Sequence, residues 1–168
     1  DADRAYPLGG VNPRPPLFTW SIAIVAMILE PMLGDDAVWY AILGLPAIYG
    51  ALTIFPIATI AKDNFGKSAG VVAAWLIAFM PAHVSHSTWA LADHDAFVML
   101  FISMGFMFWF KAIQHSGNDR LTRTSAPNLG AIFSSFGVVA REKKTAMGNA
   151  ILAGVSFGVA SLAWKGFV

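Results

Sequence analysis

The 168-residue chain contains no cysteine, so disulfides and thiolate metal sites are excluded and the redox compartment stays open. Charge is scarce as well: Asp, Glu, Lys and Arg make up 12% of the residues, about half of what a water-soluble domain carries. The formal net charge is only +1, and the few basic residues form no stripe that could follow phosphates, which excludes a nucleic-acid partner. Repeats and low-complexity tracts are absent, and no basic, apolar targeting segment opens the chain.

What remains is hydrophobic: 57% of the residues are apolar and the mean hydropathy is +0.61. A helix needs roughly 20 apolar residues to cross the hydrocarbon of a bilayer, and four runs qualify. The expected spans cover about 37–61, 68–90, 95–114 and 145–165, the third extended by a snorkelling Lys111. Pro46 and Pro56 predict a kinked first span, and Gly148, Gly154 and Gly158 predict a last span that a neighbour approaches closely. The run Pro15 to Leu29, opening on "PRPP" and ending in "EPMLGDD", is short for a span and reads as an interfacial or external helix. The fold class is therefore an all-α polytopic membrane bundle. Both ends of the chain read as cut, as if it were a piece of a longer protein.

Orientation follows from the positive-inside rule. Lys62 and Lys67 fall on one side, together with the long basic connection 115–146 and its apolar patch Leu129 to Ala140, which reads as a surface helix. The other side receives residues 1–36 and the loop 91–95, so the acidic stretch "LADHDA" faces outward. No ionisable residue sits at the centre of a span, which argues against an ion-coupled transporter.

The chemistry is concentrated in "HVSHSTWALADHDAF". Asp93 and Asp95 are one residue apart, and on an extended backbone their carboxylates point the same way. Two hard oxygen donors suit Mg²⁺ or Mn²⁺, and imidazole moves the choice toward Mn²⁺ or Zn²⁺. The plainer reading makes Asp95 the N-cap of the next helix and Asp93 a partner of its dipole. His83 and His86 read as interfacial residues at a helix end. His94 points away from the carboxylates if the backbone is extended.

Three blocks give the sequence a resemblance: "DADRAYPLGGVNPRPPLFTW", "HSTWALADHDAF" and "GVASLAWKGF". In order and spacing they resemble the catalytic subunit of oligosaccharyltransferase, the STT3 and AglB type of membrane glycosyltransferase, in an archaeal-like form. They match the end of the family's first external loop, its second external loop with an Asp-x-acid motif, and a later span ending in Trp, Gly and an aromatic.

The resemblance implies a GT-C glycosyltransferase-like fold of which this chain supplies only the early spans. It also implies transfer of an oligosaccharide from a dolichol-phosphate-type lipid to Asn in Asn-x-Ser/Thr, with Asp93 and Asp95 as catalytic metal ligands for Mn²⁺ or Mg²⁺. Its partners would be the lipid-linked donor, the acceptor polypeptide, the bilayer and the rest of its own chain. The implied location is multi-pass, with the site outside the plasma membrane in an archaeon or lumenal in the endoplasmic reticulum of a eukaryote.

His86 stands where the family usually has Arg, and it and His94 become second-layer or donor-phosphate contacts. Asp95 stands where many members have Glu. Asp1 and Asp3 are left out of the metal site, because the family's first-loop metal Asp lies further upstream. The nearer rival is a lipid-dependent mannosyltransferase of similar fold. The more distant one is a polytopic transporter in which Asp93 and Asp95 only cap a helix.

Overall fold

A computed structural model describes residues 16–90, 93–116 and 143–164, and among these every regular element is helical. Helix α1, Leu17–Leu33, starts directly after the proline-rich stretch, and Gly34 ends it at φ +56°, donating its N–H to the Glu30 carbonyl. A single 3₁₀ turn, Gly34–Asp36, leads into α2, Ala37–Phe65, which continues through both Pro46 and Pro56. Gly66, at φ +94°, closes α2 by donating to Lys62 and turns the chain into α3, Lys67–Phe79.

The run expected to span 68–90 is not one helix. Met80 is extended because it precedes Pro81, whose ring disfavours the helical region for the residue before it. Pro81 then opens a short α4, Pro81–His86. Helices α5, Asp95–Ser116, and α6, Lys144–Ser161, complete the described structure.

Two helical stretches are long and apolar enough to cross a membrane: Leu17–Phe65, which runs through the 3₁₀ turn, and Asp95–Ser116. Four were expected. Helix α3 falls short because the break at Met80 limits it to 13 residues, about 20 Å at 1.5 Å per residue. Helix α6 is diluted by Lys144, Thr145, Asn149, Ser156 and Ser161 in 18 residues. Of the run Pro15 to Leu29, expected to lie in the interface, residues 17–29 belong to a helix that feeds into α2, and Pro15 lies outside the described residues.

Helices α2 and α5 are central: α2 packs on α1, α3 and α5, while α5 packs most extensively on α6. The buried surface is built largely from small residues, among them Ala26, Ala41, Ala96, Ala153, Ala160, Thr53 and Ser156. Large apolar side chains such as Met27, Phe55, Trp75 and Leu76 are turned outward, the inverse of a soluble core and the arrangement of helices that pack together in lipid. Thr53 and Ser156 satisfy their buried hydroxyls by donating to carbonyls one turn back, at Tyr49 and Leu152.

The close approach expected at the glycines of α6 occurs elsewhere. A Cβ on Gly148, Gly154 or Gly158 would meet nothing within 4 Å, whereas one on Gly105 of α5 would lie 2.6 Å from the Phe157 ring.

The bundle has two chemically different ends. At one end Lys111 of α5 lies 4.0 Å from Asp63 of α2, and Gln114 donates to Asn64 at 3.4 Å. Helix α5 carries the chain from there over 22 residues, about 33 Å, to Asp95 at the other end. There Phe97 and Val98 of α5 pack with Ala163, and Leu17 and Phe18 of α1 close over them; the Leu17 N–H donates to Leu162. Asp1 and Asp3, as well as the patch Leu129 to Ala140 of the basic connection, lie outside the described residues.

Candidate metal centre

Helix α4 and the first turn of α5 present the acidic site. Asp95 is the first residue of α5, and the Val98 N–H donates to the His94 carbonyl, so the chain bends at His94 instead of running extended. That bend changes where the side chains go. His94, expected to point away, has Nδ1 at 3.0 Å from Asp93 Oδ1 and Nε2 at 3.7 Å from Asp95 Oδ1. Phe18 of α1 stands over its ring, with centroids 6.4 Å apart.

His86 closes the group from α4. Its Nδ1 is 3.4 Å from Asp93 Oδ2 and 3.2 Å from Asp95 Oδ2, so one ring nitrogen sits between two carboxylates from residues seven and nine further along the chain. Ligand atoms of His86, Asp93 and Asp95 all fall within 4.8 Å of one another, the one such group of three among the described residues. The expectation for His86 was an interfacial residue, a second-layer group or a donor-phosphate contact. Only the tertiary structure, which sets the end of α4 beside the start of α5, brings it to the carboxylates.

The capping role also moves. Burial by itself raises the Asp93 pKa, but the hydrogen bond from His86, the charge of His94 and the backbone N–H groups of His94 and Asp95 outweigh it and hold the carboxyl below the ordinary carboxylate value. Asp95 is the first residue of α5 and not its N-cap, while the N–H groups of His94 and Asp95 stabilise the Asp93 carboxylate. Asp95 is left with its carboxylate directed at the two histidines.

His83, one turn before His86, is buried and not interfacial, and its Nε2 lies 3.1 Å from the Gly50 carbonyl of α2. Beneath the acidic group a cavity of about 440 Å³ extends between α4 and α5, lined by Met80, His83, His86, Asp95, Met99 and Ile102 among others. Its titratable lining residues are His83, His86 and Asp95, and the rest of its lining is apolar apart from the Trp164 indole.

Two hard carboxylate oxygens beside one imidazole nitrogen form a donor set that Mn²⁺ accepts, and Mg²⁺ with water completing its shell. Asp93 is held in the anionic form that coordination needs. The residues present thus fit a divalent cation by chemistry and by proximity.

A family model described as "Oligosaccharyl transferase STT3, N-terminal" matches residues 1–168. No curated protein and no solved structure matches the chain.

Proposed function

Because the chain belongs to the oligosaccharyl transferase STT3 family, a family of membrane glycosyltransferases, we propose that it forms part of an enzyme moving an oligosaccharide from a dolichol-phosphate-type lipid to the amide nitrogen of Asn in Asn-x-Ser/Thr. Asp93 and Asp95 supply one side of a divalent-cation site, with His86 as a third donor. The observation that carries this reading is the convergence of His86 Nδ1 with both carboxylates at the end of the bundle opposite Lys62 and Lys111.

A bound Mn²⁺ or Mg²⁺ would act as a Lewis acid toward the phosphate of the departing lipid carrier. The chain's own residues prepare for that. Asp93 presents a carboxylate kept anionic by His86, His94 and the start of α5. His94 rests against both acids and restrains their orientation, itself backed by Phe18. Asp95 offers its oxygens at the mouth of the apolar cavity, where a lipid phosphate and a cation can meet without entering the middle of the bundle. Asp93 serves two purposes, since the carboxylate that steadies the first turn of α5 is also a ligand.

The remaining ligands and the acceptor-binding residues come from parts of the protein outside these 168 residues. The fold around the site is a GT-C-like bundle with about four spans, oriented with Asp93 outside the cell or in the lumen and Lys62 in the cytoplasm. Chelation tests this directly: membranes carrying the full-length protein should lose glycan transfer to a sequon peptide on treatment with EDTA and regain it with Mn²⁺. Transfer that is indifferent to EDTA would remove the cation from the mechanism.

A further inference from the structure

Residues 83–90 lie antiparallel along one side of α2, fixed at four points. The His83 Nε2 is 3.1 Å from the Gly50 carbonyl; a carbonyl only accepts, so this nitrogen carries the proton. Ser87 crosses the same residue so closely that a Cβ on Gly50 would lie 2.2 Å from Ser87 Cβ and 2.6 Å from its Oγ. Two turns back along α2, Trp89 covers Gly44, where a Cβ would meet its ring at 3.0 Å. The Ala90 N–H then donates to the Leu43 carbonyl at 3.1 Å, three residues before Pro46. Ala90 holds a left-handed φ of +75°, an unfavourable conformation for a residue with a side chain, and the bond to Leu43 helps to hold it there.

These contacts have different mechanical effects. Those of Ser87, Trp89 and Ala90 fix how far α4 and its loop sit along α2. Within α4, His83 is the side chain that hydrogen-bonds to α2, and its inward reach ties the rotation of that short helix about its axis to Gly50. His86 is three residues on and shares roughly the same side of the helix one turn further, so its direction follows from the rotation. The helix is only six residues long and lies between an extended Met80 and a turn, so one inward anchor has a large effect on its roll.

We propose, building on the reading of Asp93 and Asp95 as cation ligands, that His83 is a positioning residue: its hydrogen bond to Gly50 aims His86 at the two carboxylates and so sets the affinity of the site. It touches neither substrate nor cation. Its role is that of the outer groups that orient metal ligands elsewhere, whose removal weakens binding by about 10- to 100-fold.

Two measurements on the full-length protein test this. Mn²⁺ binding, followed by electron paramagnetic resonance, should weaken about tenfold in His83→Ala and return to within about threefold of the parent in His83→Gln, whose side-chain amide can donate to the same carbonyl. Independently, in EDTA, a short bifunctional thiol reagent should cross-link the pair His86→Cys and Asp95→Cys readily in the parent. Cross-linking should be several-fold slower when His83→Ala is added, but not when His83→Gln is added.

His83→Asn, polar but too short to reach Gly50, replaces His83→Ala if the latter does not fold, with the same losses expected. Cross-linking that ignores His83 overturns the proposal. A parent that binds no Mn²⁺ but whose cross-linking depends on His83 leaves the positioning role standing and defeats the metal reading.

Discussion

Gly105 of α5 lies directly beneath the ring of Phe157 of α6: a Cβ at this glycine would come within 2.6 Å of Cε1 and 2.8 Å of Cδ1. Phe157 is itself held edge-on by Phe106 at 5.3 Å and Trp109 at 6.3 Å, so the ring has little freedom to retreat. Gly105→Val should therefore destabilise the α5–α6 contact by about 1–3 kcal/mol, the usual cost of overpacking. Gly148→Ala, with open space around it, should be neutral or slightly stabilising through helix propensity. Thermal unfolding in detergent compares the two; equal effects would mean that the ring yields.

The two ends of the bundle should label from opposite sides of the membrane. The 168 residues contain no cysteine, which makes single replacements easy to read. Asp36→Cys should react with a membrane-impermeant maleimide added from outside, and Lys67→Cys only after permeabilisation. Labelling of both from one side would break the predicted topology.

Replacing His86 should change which metal works best. An imidazole favours Mn²⁺ over Mg²⁺, whereas carboxylates alone serve both. His86→Gln should therefore lower Mn²⁺ affinity by about tenfold or more, a loss of the size seen when a ligand's surroundings are disrupted, and should lower Mg²⁺-supported transfer by less. Titrating each ion against transfer in membranes separates these outcomes, and a parallel loss for both ions would place His86 outside the coordination shell.

Much of this architecture was legible in the residues, and what was not has identifiable causes. Apolar run length gave the membrane class, and the helices over 37–65 and 95–116 each contain a long stretch, 37–61 and 96–110, that no charged residue interrupts. The break at Met80 was readable from Pro81 but was masked by the unbroken hydrophobicity around it. Glycine spacing pointed to α6, while the glycine used in the α5–α6 contact is Gly105 of α5, because the large partner, Phe157, comes from α6 itself.

In the acidic loop, Asp93 and Asp95 stood out as D-x-D, but their relation to the histidines did not. Extended geometry would have sent His94 away. The bend that starts α5 at Asp95 brings it back, and His86 joins only because α4 ends beside the start of α5. His83 was invisible for a similar reason: its partner is a backbone carbonyl 33 residues away.

The role of Asp93 in glycan transfer is tested most directly by Asp93→Ala in the full-length protein, assayed as transfer from the lipid-linked donor to a sequon peptide at saturating Mn²⁺. Transfer should fall by about 100-fold or more, the scale of losing a group that stabilises charge in the transition state, while insertion into the membrane is unchanged. Asp95→Glu, which keeps the carboxylate and lengthens its arm by one methylene, should retain transfer. An Asp93→Ala protein that transfers glycan at the parental rate would contradict the assignment and leave this carboxylate with helix capping alone.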